Sequence, residues 1–221
     1  MPDLNFEIIG AEAAAYSVLP MLIFKMRIVN ASEEEPIHNV NLKCQIMLSV
    51  IQRRYNAGEK AKLQELFGEP ERWGKTLRPF LWTHVTTVVP RFSGSTIVDL
   101  PVPCSYDFEV VSTKYFNALE DGEIPLAFLF SGTIFYEGEA GQEEASKLQI
   151  AQISWSKEAS YRLPVALWKE AIEASFPNSA WIRLPKDVFD QLYQYKITHG
   201  LLTWEEVLAR LLRASGEEVQ S

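Results

Sequence analysis

The stretch Val40-Asn-Leu-Lys-Cys-Gln-Ile-Met-Leu-Ser-Val50 decides the fold class of this chain. Apolar and polar residues alternate along it, and Met47 alone breaks the alternation. Because successive side chains of a β-strand point to opposite faces, the pattern predicts a long strand with one face on a core and one in water. Strands of buried parallel sheets are apolar throughout, so the pattern favours an antiparallel sheet, arranged as a β-sandwich.

Six further segments have strand character. The segment at 124–136 is apolar on both faces, which predicts a central strand covered on both sides, with Pro125 tolerated at its start. Residues 138–146 read as an acidic hairpin loop. Seven strands separated by turn residues predict an immunoglobulin-like sandwich. The six predicted strands beside 40–50 are 5–10, 21–29, 81–89, 95–100, 124–136 and 147–155.

Two helical insertions are predicted within the sandwich, near 59–68 and 107–120. Each has apolar residues at helical spacing, and each is followed by glycine, a residue that commonly ends helices. The apolar residues are Leu63, Leu66 and Phe67 in the first insertion, and Phe108, Val111, Tyr115 and Leu119 in the second.

From Pro164 onwards the apolar period changes from two to about 3.6 residues, which predicts helices at 164–177 and 185–200 and a small strand at 180–184. Thr203 and Glu206 form the pattern of a capping box, which predicts a further helix after it. We therefore expect an α+β protein: a β-sandwich domain at 1–160, followed by a small helical C-terminal segment at 161–221. Since isolated short helices are marginal in water, we expect this segment to be docked on the sandwich.

The 221-residue chain has 29 acidic and 21 basic residues, for a net charge of −8. This balance argues against nucleic-acid binding, which needs clustered cations facing phosphates. The N-terminus lacks the basic segment of a signal peptide, and the apolar stretch at 19–29 is too short and too charged to cross a membrane. Cys44 and Cys104 have no CxxC spacing and read as core residues of a cytoplasmic protein, although a bridge between them stays open.

Few residues suggest catalysis or metal binding. His38, His84 and His199 lie on different predicted elements, and no metal or nucleotide motif occurs, so we expect no cofactor. The run 131–133, Ser-Gly-Thr, is not the GxSxG turn of a hydrolase and is expected to relieve close contact with a neighbouring layer. Cys104 and His84 are candidates for a catalytic cysteine–histidine dyad, but a structural role for Cys104 is favoured.

The segment at 71–84, Glu-Arg-Trp-Gly-Lys-Thr-Leu-Arg-Pro-Phe-Leu-Trp-Thr-His, is basic and aromatic within an acidic protein. Arg and Trp are enriched at interface hot spots, because they bury large areas and keep a polar group. The segment is thus a candidate protein-binding surface; alternatively, its tryptophans anchor the first insertion to the sandwich. The candidate residues are Arg72, Trp73, Lys75, Arg78, Trp82 and His84.

The chain resembles a known family at residues 73–84, at 98–109, Val-Asp-Leu-Pro-Val-Pro-Cys-Ser-Tyr-Asp-Phe-Glu, and at 122–126, Gly-Glu-Ile-Pro-Leu. Shorter similar features occur at 42–46, 53–55 and 161–164. The family is an uncharacterised bacterial domain family, often encoded beside the genes of uptake nickel–iron (NiFe) hydrogenases. The resemblance brings no established activity, catalytic residue or cofactor.

The resemblance implies a non-catalytic cytoplasmic accessory protein, linked to hydrogenase assembly or operation, whose partner is a hydrogenase subunit or a maturation factor. This implication rests on gene neighbourhood, which is an association. Two alternatives stay open: a small-ligand or peptide-binding module between the sandwich and the helical segment, and an enzyme with a dispersed site on the insertion loops. The sequence leaves the oligomeric state open.

Overall fold

The computed structural model describes residues 1–15, 17–32, 36–104, 111–137, 148–179 and 182–215. The described residues form eight strands and six α-helices, so the chain is an α+β protein. It divides into two compact units, Met1–Ser179 and Ala180–Ser221. Each unit is described by itself.

The strands are β1 (Leu4–Ala13), β2 (Met21–Asn30), β3 (Ile37–Leu48), β4 (Phe80–Val89), β5 (Ser95–Pro103), β6 (Glu123–Glu137), β7 (Leu148–Gln152) and β8 (Glu158–Pro164). The helices are α1 (Ala57–Phe67), α2 (Trp73–Thr76), α3 (Val111–Ala118), α4 (Val165–Ser175), α5 (Lys186–Thr198) and α6 (Trp204–Ala214). Short 3₁₀ turns at Val50–Gln52 and Pro70–Arg72 flank α1.

All strand pairs are antiparallel, as the sequence predicts. One sheet has the order β1-β2-β5, and the other has the order β4-β3-β6-β7. Strand β8 pairs with the first half of β6, and β7 pairs with the second half. The long strand β6 therefore holds two short strands along one edge.

The two sheets contact each other through aromatic side chains. Phe6 of β1 stacks on Phe130 of β6, with ring centroids 4.3 Å apart, and Phe24 of β2 lies edge-on to Phe128, at 5.2 Å. Helix α4 joins the same core, because its Trp168 stacks on Phe116 of α3 at 5.0 Å. Burial of apolar side chains from both sheets and the helices is the main stabilising contribution to this unit.

The predicted alternation of the long strand is confirmed in β3. Its even-numbered side chains from Val40 to Leu48 are buried, while Asn41 and Lys43 are exposed. Met47 lies on the outward face, half-buried, where its sulfur accepts a hydrogen bond of 3.1 Å from the Gln45 side chain. The exception in the pattern is therefore an apolar residue on the polar face.

Strand β6 is central, as predicted, because β3 lies on one edge of it and β7 and β8 on the other. The expectation that both of its faces are covered is wrong. Its inward residues are buried, but Leu129 and Phe135 are half-buried and Ser131 is exposed. Apolar side chains on an outer face can cover one another across strands, so apolarity alone does not indicate a second layer.

Several boundaries differ from the sequence prediction. Strand β8 was not predicted, because a short alternating run becomes a strand only when a distant partner pairs with it. Residues 182–184 have no regular structure where a strand was expected. Val111 of α3 is 46% exposed, whereas Tyr115 and Leu119 are buried as predicted. Phe108, the 138–146 loop, the start of the strand expected at 147–155, and residues 180 and 181 lie outside the described residues.

The second unit contains helices α5 and α6. The predicted capping box is confirmed: the Thr203 hydroxyl accepts from the Glu206 amide at 3.2 Å, and the Glu206 carboxylate accepts from the Thr203 amide at 3.3 Å. Phe189 and Tyr193 of α5 contact Trp204 of α6, with centroids 5.3 and 6.3 Å apart. The capping box and this aromatic cluster together position the start of α6.

Gly132 lets β6 approach β3 closely. It has φ of 145°, and a Cβ atom there would collide with the Asn41 carbonyl oxygen and lie 3.1 Å from its carbon. The sequence predicts that this region relieves contact with a neighbouring layer; the close contact is instead with the adjacent strand of the same sheet. A side chain is therefore excluded both by space and by backbone conformation.

We expect Gly132→Ala to lower the free energy of unfolding by about 3 kcal/mol or more, because the collision is with the backbone of a central strand. Urea denaturation of the purified variant measures the loss. Gly74→Ala is the matched control, since no atom lies within 4 Å of the added methyl group. Equal denaturation midpoints for the two variants would contradict the geometry at Gly132.

Cys44→Ser should lower the free energy of unfolding by about 1 kcal/mol or more, because it buries a hydroxyl where the thiol is 1% exposed. Cys44→Ala separates the effect of the hydroxyl from the effect of lost volume. The same urea experiment compares both variants with the parent chain. A midpoint for the serine variant equal to that of the parent would refute this expectation.

Candidate protein-binding surface

The candidate segment is anchored by Trp73, the first residue of α2. Trp73 is 5% exposed, and its indole nitrogen donates a 2.8 Å hydrogen bond to the carbonyl of Gly68, which ends α1. Tyr55 and Phe67 lie edge-on to its ring, at 5.5 and 5.7 Å. Trp73 therefore belongs to the core, and it holds the turn between α1 and β4 in place.

Three cations on this anchored turn are exposed: Arg72, Lys75 and Arg78. None of them forms an ion pair with a carboxylate in the part of the chain that the structure describes. Arg78 donates a 2.7 Å hydrogen bond to the Leu77 carbonyl. Glu71 is the one acidic residue between positions 70 and 89, so the local charge is positive.

Trp82 and His84 lie on β4 and point in different directions. The register of β4 against β3 shifts between Leu81 and Thr83, so Trp82 is the extra residue of a β-bulge. Its half-buried ring contacts Phe116 at 4.9 Å, on the core side. His84 is exposed on the outer face of the sheet. Of the six candidate residues, four are therefore exposed, and both tryptophans contact the core.

We call the four exposed residues, Arg72, Lys75, Arg78 and His84, the basic surface. Three of them precede β4, and the fourth lies on it. Strand β4 pairs with β3 along one side, and no described strand pairs with its other side. The basic surface is thus continuous with a sheet edge that no strand in the described part of the chain covers.

The sequence analysis missed a buried ion pair between Arg53 and Glu59. Their side chains are 7% and 3% exposed, and the Arg53 Nη2 atom lies 2.6 Å from the Glu59 carboxylate. Arg53 also donates to the carbonyls of Asp121, at 2.5 Å, and Glu123, at 2.6 Å. It therefore joins the loop before α1 to the turn before β6. The capping box of Asn56 and Glu59 is a pattern that can be recognised in the sequence, but the pattern does not indicate that Glu59 is buried.

The pKa of Glu59 reflects this environment. Burial alone would raise the pKa of its carboxyl group, but hydrogen bonds from the Glu120 amide, from Arg53 and from the Asn56 amide together lower it below the ordinary value of 4.5. Glu59 is therefore a stable anion at neutral pH. An anion held in this way is a structural counterion for Arg53 and a poor general base.

A cavity of about 500 Å³ lies beside this ion pair. Arg54 and Arg162 line it, together with Asp121 and Glu123, so its cations are matched by carboxylates. Arg162 approaches the Glu123 carboxylate at 4.0 Å. The balanced charge of this cavity contrasts with the unpaired cations of the basic surface.

The buried nucleophiles are neutral. Burial raises the pKa of the Cys44 and Cys104 thiols to about 12, and both cysteines are free. Burial likewise raises the pKa of Tyr55 to about 12, and raises that of Tyr115, whose hydroxyl lies 3.0 Å from that of Tyr55. Because the thiolate is the reactive form of cysteine, the two thiols fit structural positions.

Among the described residues, no three histidine, cysteine or acidic side chains are grouped as metal ligands would be. Over the same residues, no helix combines the length and the apolarity that crossing a membrane requires.

The fold and the surface define an α+β protein of two antiparallel sheets with a basic, anchored turn. The chain belongs to the Family of unknown function (DUF6084), whose family model matches residues 1–220. A comparison with curated proteins finds no match.

Solved structures with some similarity include two of a beta-glucosidase from Kluyveromyces marxianus. The selenomethionine-labelled enzyme is 9% identical with a TM-score of 0.28, and the complex with glucose is 9% identical with a TM-score of 0.27. Each match covers 73% of this chain, but the chain spans only 15% of the beta-glucosidase. Similarity this low carries no argument about fold or activity.

We expect Glu59→Gln to lower the free energy of unfolding by about 3 kcal/mol at neutral pH, because it leaves the buried Arg53 charge without a counterion. Glu65→Gln is the matched control on the same helix. Glu65 pairs with Lys114 at the surface, where its side chain is 71% exposed, and such pairs contribute about 1 kcal/mol or less. Denaturation of the three proteins gives both differences.

The cost of Glu59→Gln should depend on pH. Since folding lowers the pKa of Glu59, its carboxylate stabilises the folded state above the unfolded pKa, and this contribution is lost as pH falls through the folded pKa. The difference between parent and Glu59→Gln should therefore shrink as the pH falls below 4.5. A difference that stays constant from neutral to acidic pH would contradict the ion-pair role.

Proposed function

We propose that this protein is a non-catalytic accessory protein that binds another protein through its basic surface. The observation that carries the proposal is a set of three cations, Arg72, Lys75 and Arg78, without ionic partners among the described residues. The chain has a net charge of −8, yet residues 72–78 hold three cations and no carboxylate. A rigid, unpaired basic turn in such a chain favours an acidic partner.

The chemistry of the buried groups favours binding over catalysis. Glu59 is held as an anion by Arg53, and the thiols of Cys44 and Cys104 are neutral, so none of these groups is poised for proton transfer or nucleophilic attack. The charge-balanced cavity beside Arg53 gives the ligand-binding alternative less support than the basic surface gives to protein binding.

The partner we propose is a hydrogenase subunit or a hydrogenase maturation factor, and the compartment is the cytoplasm. Support for the partner comes from the resemblance to a family often encoded beside hydrogenase genes. Support for the compartment comes from the free, buried cysteines, which are typical of reducing surroundings.

We also infer that the sandwich is immunoglobulin-like. In that fold the first, second and fifth strands share one sheet, and the third, sixth and seventh share the other. Here β1, β2 and β5 form one sheet, and β3, β6 and β7 belong to the other, with β4 added beside β3. Such sandwiches serve many unrelated functions, so the inference concerns architecture and gives no activity.

We expect Arg78→Ala to weaken capture of a hydrogenase subunit or maturation factor, because truncation of an interface arginine commonly costs about 2 kcal/mol or more. Affinity purification from native cells under hydrogenase-inducing conditions measures the captured protein. Circular dichroism checks that the variant is folded. Lys60→Ala, an exposed lysine on α1, is the matched control and should capture the partner as the parent does.

The dependence of partner capture on ionic strength is a second measurement in the same experiment. Contacts between the basic surface and an acidic partner should weaken as ionic strength rises, because exposed charges are screened. Capture by Arg78→Ala should therefore depend less on salt than capture by the parent. Full capture by a folded Arg78→Ala variant would remove the basic surface from the interaction.

A further inference from the structure

We propose that the free edge of β4 accepts an extended segment of the partner as an additional antiparallel strand. The added strand pairs with residues 83–89, and acidic residues that follow it contact Arg72, Lys75 and Arg78. The inference rests on the proposed function and deepens it, since it specifies the conformation and the charge pattern of the partner segment. Strand addition to an exposed edge is an established mode of peptide recognition.

Residues 83–89 form a regular edge with which no described strand pairs. They read Thr-His-Val-Thr-Thr-Val-Val and contain no proline, lysine or acidic residue. Their register against β3 is continuous, because the bulge at Trp82 lies before them. Val88 is 62% exposed and His84 is exposed, so the outer side of the edge is open.

The other edges have features that oppose strand addition. Strand β5 carries Asp99, Pro101 and Pro103. Strand β1 has a register irregularity between Ile8 and Gly10. Strand β7 has five residues, and β8 carries charged residues and ends in a proline. Prolines, charges, bulges and short strands are the usual protections of sheet edges, and 83–89 has none of them.

The direction of the added strand follows from the sheet. All pairs among the described strands are antiparallel, and antiparallel pairs are the commoner kind in proteins. A strand antiparallel to β4 would run from Val89 towards Phe80, so its C-terminal end would approach Arg78. The partner's acidic residues should therefore follow its strand and not precede it.

The spacing can be estimated from the chain. Arg78 lies five positions before Thr83, a distance of about 17 Å if the chain is extended. A partner would thus need roughly four to six residues between its paired strand and its acidic residues. The expected segment is about seven residues rich in threonine and valine, then a short spacer, then aspartate or glutamate.

A synthetic peptide tests this pattern without the native partner. The probe is Thr-Val-Thr-Val-Thr-Val-Thr, then Gly-Ser-Gly-Ser, then Asp-Asp-Asp, titrated into the full-length, ¹⁵N-labelled protein. We expect amide shifts and slower hydrogen exchange at residues 83–89. Two further peptides are N-methylated at alternate strand positions, one at the odd positions and one at the even positions. Only one of these two sets of amides faces β4, so one peptide should bind about tenfold or more weakly, because it has lost the pairing hydrogen bonds.

Charge and direction are tested with two further comparisons. Moving the three aspartates to the N-terminal end of the peptide should weaken binding severalfold, and so should Arg78→Glu in the protein. Lys60→Glu serves as the matched charge control and should leave the affinity unchanged. Equal affinity for both peptide directions would overturn the antiparallel orientation.

The outcomes separate this inference from the proposed function. No protection of residues 83–89 at millimolar peptide, or equal binding by both N-methylated peptides, would overturn strand addition. If Arg78→Ala nevertheless loses the native partner, the basic surface stands without the added strand. If the peptide protects residues 83–89 while Arg78→Ala keeps full capture of the native partner, the proposed function fails and the edge remains a strand-binding site.

Discussion

The structure of the first unit depends on burial of one face of β3. This strand pairs with β4 on one side and β6 on the other, so its register sets theirs. A slip by one residue would turn Leu42, Cys44 and Ile46 to solvent and Lys43 to the core, which makes a single register strongly preferred. Gly132 permits the close approach of β6 on which this register depends.

The segment that links β3 to β4 contains both stabilising contacts and most of the basic surface. Arg53 and Glu59 tie its first turn to the loop before β6, and Trp73 ties its last turn to the core. Both anchors use hydrogen bonds from side chains that are themselves buried, and leaving such groups unpaired is costly. Because Trp73 fixes the turn five positions before Arg78, Arg78 reaches the surface at a defined position just before β4.

Positive charge is concentrated at the basic surface, where residues 72–78 hold three cations and no carboxylate. Elsewhere, cations such as Lys25 and Arg27 lie against carboxylates of a neighbouring strand. On the basic surface the cations lack such partners among the described residues. The bulge at Trp82 adds a geometric asymmetry, since it separates the charged end of β4 from its regular edge.

The sequence alone indicated seven of the eight described strands, their antiparallel character and the capping box at Thr203, because side-chain periodicity and capping are local properties. It also singled out the segment at 71–84. Only the tertiary structure separated that segment into the buried Trp73 and the exposed Arg78, made 158–164 a strand, and brought Arg53 to Glu59. The pairing of 158–164 and the contacts of Arg53 with the turn at 121–123 depend on residues distant in the chain, whose approach no local pattern encodes.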